Sequence, residues 1–377
     1  MERKDYDNSL LRQAMALKEY ARIVYDHVLP QVNKLPVKEL WDAQKIFISG
    51  CGDSWLAGIA ATPAFESVTR IETNPIRAIE FSRILSSKNL GYSPNTPLVI
   101  LISFSGSGSR VVECAQRAVK YGANTIAVTN DPDSQLGRVC RYCIDLGLPK
   151  DGEYQPGLIT YDASMLTLFL IALRIGRVRN KISPLDHEDM HKELLSFIDG
   201  SSAENEDTAE RCFAIAQKWK DLKAEDFIGD YADHATAYFG SAKVIETFGG
   251  YTTYDDSEDW SHINFFLNEP EKIGRVVIAN SSTPSYGRIL ETVRAIEMLK
   301  SPCVVVTDGK REDFPEGMEV FTLPRPKYFW MNPLMQHIPL DMIAGYIAEL
   351  KGVMAFRQDD ERYTKMGDQR GSQIVII

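Results

Sequence analysis

Short unbroken apolar runs, each followed by small polar residues and then by helical spacing, constrain this chain more than any other feature. Lys45-Ile-Phe-Ile-Ser49 runs into Gly50-Cys-Gly-Asp-Ser54, and Pro97-Leu-Val-Ile-Leu-Ile102 into Ser103-Phe-Ser-Gly-Ser-Gly108. Asn124-Thr-Ile-Ala-Val128 runs into Thr129-Asn-Asp131, and Val111 to Tyr121 between them has helical periodicity. A strand with one wet face alternates apolar and polar residues; a strand buried on both faces does not. Continuous runs alternating with helices predict a parallel sheet covered on both sides.

The pattern returns in the second half. Asp226-Phe-Ile-Gly-Asp230 is a short strand, Arg275-Val-Val-Ile-Ala279 leads into Asn280-Ser-Ser-Thr283, and Cys303-Val-Val-Val306 into Thr307-Asp-Gly309. Val128-Thr-Asn-Asp131 and Val306-Thr-Asp-Gly309 echo one another, as duplicated units do. The expected fold is two tandem α/β/α doubly wound, flavodoxin-like domains, each on a parallel sheet of about five strands. Residues 1–40 read as a helical lead-in, with a helix from Leu10 to Leu29 stopping at Pro30. Residues 41–195 read as the first domain, 203–355 as the second, and 356–377 as a tail. The boundary falls in the polar stretch Ile182 to Glu206, and a long helix is expected within Asn332 to Leu350.

The formal net charge of −10 argues against a coat for nucleic acid or an anionic membrane. The six cysteines are scattered along 377 residues, which suits reduced thiols in the cytoplasm rather than a disulfide scaffold. The opening Met1-Glu-Arg-Lys-Asp-Tyr-Asp lacks the apolar core of a signal peptide. The apolar stretch Ala163 to Leu173 is too short to cross a bilayer and reads as a buried helix.

The loop Ser103 to Arg110 carries the sharpest chemistry. Hydroxyls, glycine-exposed amides and a helix N-terminus at the carboxyl end of a parallel strand suit a phosphate. Gly50-Cys-Gly-Asp-Ser54 is a second loop of this kind, able to converge on the same crevice.

A strand followed by Gly-Cys-Gly-Asp-Ser, then a strand followed by Ser-Phe-Ser-Gly-Ser-Gly, resembles the sugar isomerase (SIS) domain family. The tandem arrangement resembles the isomerase half of glutamine–fructose-6-phosphate amidotransferase and the fructosamine- and fructoselysine-6-phosphate deglycases. The resemblance runs from about Lys45 onward. It extends to Lys243-Val-Ile-Glu246 followed at the family spacing by His262, and to an apolar helix ending Lys351-Gly352 before a tail bearing Lys365. The resemblance implies an enzyme that isomerises or deglycates a ketose- or fructosamine-6-phosphate, with no cofactor and no metal. It implies Glu246, His262 and Lys365 as catalytic residues, and Gly52, Asp53, Ser54, Ser103, Phe104, Ser105 and Gly108 as substrate-binding ones. It also implies a homodimer in which His262 reaches the partner's pocket.

These residue types suit that chemistry. A carboxylate can carry a proton between adjacent sugar carbons through an enediol or enolamine. A histidine can open the ring near neutral pH, and a lysine can form a Schiff base or stabilise developing charge. Phe104, Gly108 and Asp53 depart from the amidotransferase pattern, which leaves the sugar open. No glutaminase segment with an N-terminal cysteine nucleophile precedes the first unit, so glutamine-dependent amination is not expected. The alternative is a sugar-phosphate-binding regulator, disfavoured by the tandem arrangement and the lack of a basic DNA-binding lead-in. His187-Glu-Asp-Met-His191 has HExxH spacing but is set aside as a charged surface segment, and Cys140-Arg-Tyr-Cys143 reads as core thiols.

Overall fold

A computed structural model describes residues 2–91, 97–200, 206–365 and 373–377. The expected start of the second domain at residue 203 and part of the tail lie outside them. The first sheet contains β1 (Ile46–Gly50), β2 (Thr73–Arg77), β3 (Leu98–Ile102), β4 (Asn124–Thr129) and β5 (Tyr142–Asp145), in the order β2-β1-β3-β4-β5. The second contains β6 (Ala224–Gly229), β7 (Thr252–Asp255), β8 (Ile273–Ala279), β9 (Cys303–Thr307) and β10 (Glu319–Thr322), in the order β10-β9-β8-β6-β7. Every pairing is parallel. The two domains therefore repeat one topology.

The inner strands β1, β3 and β8 are buried at every residue, which is why they read as apolar runs, broken in β8 only by the paired Arg275. Edge strands read differently. Pro75 sits in β2, which pairs only with β1; a proline is tolerated there because one side of an edge strand needs no ladder donor.

Two compact units result, each discontinuous in sequence. One holds residues 19–152, 159–195 and 370–377; the other holds 1–18, 153–158 and 196–369. The helix Ser9–Asn33 contributes to both and runs through Pro30 rather than stopping there. A proline in a last turn forfeits little of the helical ladder. The polar stretch Ile182 to Glu206 contains a helix, Pro184–Gly200. The expected helix within Asn332–Leu350 is two, Pro333–Gln336 and Ile338–Lys351, parted at His337 before Pro339.

The apolar stretch around Ala163 is the middle of a longer helix, Ile159–Val178, whose length and composition would suffice to cross a membrane. In this fold 89% of its apolar window is buried, and it packs against the helix Asp53–Thr69 as the central helix of the first domain. In the same domain Gln373–Ile377 lie along the helix Ser109–Lys120. Glu113 accepts the Val375 amide, Tyr121 donates to the Ile377 carbonyl at 3.2 Å, and Ile374 joins the apolar cluster.

Candidate functional site

The strand order of the first domain reverses between β1 and β3, so the crevice of a doubly wound sheet opens between the loops that follow them. After β1 the chain turns at Gly52, with φ 54 and ψ −129, a region side chains avoid. The helix then starts at Asp53, and the Ser54 amide donates to Cys51 O at 3.2 Å. Cys51 and Gly52 are exposed; Asp53 and Ser54 are half-buried.

The loop after β3 is stapled from below. Ser103 N donates to Val128 O at 3.1 Å, and Phe104 O accepts from Asn130 N at 2.9 Å and Thr129 Oγ1 at 3.1 Å. Phe104 thus contributes its carbonyl to the loop's foundation. Gly106 has φ 61, and a Cβ there would lie 1.9 Å from Ser134 Oγ, so no side chain fits. Ser105 and Ser107 share a hydroxyl hydrogen bond of 2.8 Å and face solvent with Gly108. Among the described residues, the amides of Ser105, Gly108, Ser109 and Arg110 find no acceptor at this helix start. That leaves donors and a helix dipole for an anion. The Arg110 charge is felt at the Cys51 thiol, so the two loops are close neighbours.

The second domain repeats the frame with the opposite chemistry. Tyr231 stands where the first domain has Gly52 and takes nearly the same backbone, φ 54 and ψ −113. The loop after β8 offers its amides to carboxylates of its own chain: Asn280 N donates to Asp233 Oδ2 at 3.0 Å, and Ser281 N to Asp308 Oδ1 at 2.6 Å. Asn332 Nδ2 also donates to Asp308 at 2.9 Å and Gln336 Nε2 to Asp233 at 2.9 Å. Burial pushes Asp233 up to about 8. Carboxyl groups of the same chain thus occupy the first two amides of this loop.

Glu246 lies on the helix Ala232–Phe248. It is no solvated surface glutamate: it pairs with Lys243, whose side chain is fully buried. His262 ends the helix Ser257–His262 with its side chain 68% exposed and Nε2 3.2 Å from Glu258. That helix is held firmly. Ser257 N and Oγ donate to Asp230 at 2.7 and 2.9 Å, and Asp256 caps the Glu258 and Asp259 amides. Beneath it, Asp226 accepts from Trp260 Nε1 at 2.7 Å and Asn264 Nδ2 at 3.0 Å and pairs with the buried Arg275. Asp226 and Arg275 stand opposite each other on β6 and β8. Lys365 is exposed and pairs with Glu361 at 2.6 Å. The structure thus gathers the serine loop and the Gly52 turn in the first domain, and gives Glu246, His262 and Lys365 separate supports in the second.

Sequence reasoning missed the Asp226–Arg275 support. Its signal is a lone arginine inside the apolar strand β8 and an acidic pair, Glu225 and Asp226, inside β6. The Cys140 and Cys143 thiols are held protonated, burial pushing them up to about 12 and about 11.

Residues 39–174 match the family described as the SIS domain. The match lies within the first domain. The chain is 22% identical over 371 residues to the glutamine–fructose-6-phosphate aminotransferase of Clostridium tetani, covering 93% of itself and 57% of that protein. The Mycolicibacterium paratuberculosis aminotransferase is 24% identical over 340 residues, with 88% of this chain and 51% of that protein covered. The chain therefore spans little more than half of these relatives. Among solved structures, the C-terminal domain of the Francisella tularensis glucosamine-fructose-6-phosphate aminotransferase superposes with a TM-score of 0.81 at 16% identity, covering 93% of this chain and 99% of that one. The Escherichia coli tagatose-6-phosphate ketose/aldose isomerase gives 0.73 at 15% identity, covering 97% and 95%. These likenesses establish the fold of both halves: two parallel five-stranded α/β domains.

Proposed function

We propose that this chain is a phosphosugar isomerase or deglycase acting on a ketose- or fructosamine-6-phosphate in the cytoplasm. The observation that carries this reading is the contrast between the two loops. Among the described residues the amides of Ser105, Gly108, Ser109 and Arg110 after β3 find no acceptor, whereas those of Asn280 and Ser281 after β8 donate to Asp233 and Asp308. The named relatives act on, or are named for, 6-phosphosugars, which suits the same reading.

The phosphate rests on Ser103, Ser105, the amides near Gly108, and Ser54, with Gly52, Asp53 and Phe104 shaping the crevice. His262 opens the ring. Glu246 then takes the proton from the first sugar carbon and returns it to the second through an enediol or enolamine. With a fructosamine this yields an imine that water splits to aldose phosphate and amine. Lys365, on the tail, closes over the substrate. The exposure of His262, beside Ile263 at 62% and Phe266 at 74%, suits a histidine that completes the active site of a second copy in a homodimer.

The test is a product-detecting screen of the purified chain with fructose 6-phosphate plus ammonia, glucosamine 6-phosphate and several fructosamine 6-phosphates. Turnover of none, with binding retained, replaces the enzyme by a sugar-phosphate-binding regulator.

A further inference from the structure

The segment set aside as a charged surface stretch is a regular helix, Pro184–Gly200, with Met190 and Leu194 buried. His187 and His191 lie one turn apart on it, partly exposed. Their Nε2 atoms face each other at 3.3 Å, and the rings meet edge to face. Two imidazoles on a tetrahedral zinc, each at about 2.0–2.1 Å, stand about 3.3–3.4 Å apart. The pair already has that bite.

A second contact suits the tautomer a metal needs. His191 Nδ1 lies 2.8 Å from the Tyr25 hydroxyl, on a different helix. When Tyr25 accepts from Nδ1–H, the His191 lone pair sits on Nε2, where a metal would use it; metal-bound histidines typically have such a partner on the other nitrogen.

We propose that His187 and His191 form a two-imidazole chelate for a divalent transition-metal ion of the zinc type, with the remaining coordination positions filled by water or a small anion. Without the ion, one Nε2–H donates to the other ring. Binding needs only that His187 move its proton to Nδ1, so no charge is left behind. The site is not a peptidase centre. Glu188, the residue that serves as base in HExxH enzymes, is held by Lys192 at 2.7 Å on the solvent side. Arg174 and Arg177, on the helix Ile159–Val178, place positive charge on His187, while Arg22 and Asp26 flank Tyr25. The two guanidiniums oppose a cation, so removing one strengthens the site.

Zinc chloride titrated into the full, untagged chain by calorimetry at about pH 7.5 tests this. One ion binds per chain at this site, and His187→Ala and His191→Ala each abolish that binding while circular dichroism shows an intact fold. Tyr25→Phe weakens it about tenfold, as loss of a supporting hydrogen bond does, and Arg177→Gln tightens it. In the Cu2+ complex, electron paramagnetic resonance shows coupling to two nitrogens in the parent and one in each single variant. The carboxylate group Asp255, Asp256 and Asp259 can hold an ion only through oxygen. A hydrogen-bonded histidine pair only, with no nitrogen-coupled ion in the parent, overturns the proposal. So does undiminished zinc binding in the double alanine variant.

Discussion

The Trp260 indole donates to Asp226 at 2.7 Å, and two residues further on the chain presents His262 to solvent. An exposed side chain thereby stands on a fully buried polar network, since Asp226, Trp260 and Arg275 are inaccessible. Trp260→Phe keeps an aromatic ring but deprives a buried carboxylate of one donor, which costs about 1–3 kcal/mol. Chemical denaturation measures that loss. An unchanged midpoint would show that the network does not hold the His262 helix.

Glu246 has two roles that one substitution confounds. Glu246→Gln lowers turnover about a hundredfold to ten-thousandfold, the usual contribution of a positioned base. It also takes a counter-charge from the buried Lys243, so it destabilises the domain. Adding Lys243→Met restores the melting temperature but not turnover. Recovery of both would make the carboxylate purely structural.

The two loops differ in what they can bind. Ser103→Ala with Ser105→Ala removes hydrogen bonds to a charged phosphate worth about 1.5–3 kcal/mol each, so affinity for a 6-phosphosugar falls at least about tenfold. Ser281→Ala with Ser282→Ala leaves affinity unchanged, because carboxylates already occupy that loop's neighbouring amides. Equal losses from the two pairs would place the phosphate elsewhere.

Burial pushes Glu225 on β6 up to about 8, well above the ordinary carboxylate range. Between that range and about pH 8 the folded chain holds a proton that the unfolded chain has released. Stability from this group is therefore complete in acid and declines as pH rises to about 8. Glu225→Gln, which mimics the protonated form, removes that decline. Melting curves across the window should show the variant gaining on the parent toward alkaline pH; parallel curves would mean Glu225 ionises freely.

The inner strands were legible because burial on both faces leaves an unbroken apolar run, as in Leu98–Ile102 and Cys303–Thr307. The edge strands Thr73–Arg77, Thr252–Asp255 and Glu319–Thr322 were not, because they are short and partly exposed and carry proline and polar residues. The serine loop was visible in local sequence, since its chemistry lies in adjacent residues. Asp226 and Arg275 support the His262 helix from 49 residues apart, and only strand register joins them. His187 and His191 were visible as a spacing, but what distinguishes them is the Tyr25 hydroxyl, 166 residues from His191.

Residues 1–18 belong with the second domain and residues 370–377 with the first. On the ribosome, residues 19–195 emerge long before Ile374 can enter their apolar cluster or Val375 can bind Glu113. Arg3 meanwhile waits for its partners Glu206 and Tyr346, which have yet to be made. Each domain is thus completed by residues far away in sequence. A cut at the apparent boundary would yield two incomplete fragments, and either half, produced alone, would need residues from the opposite end.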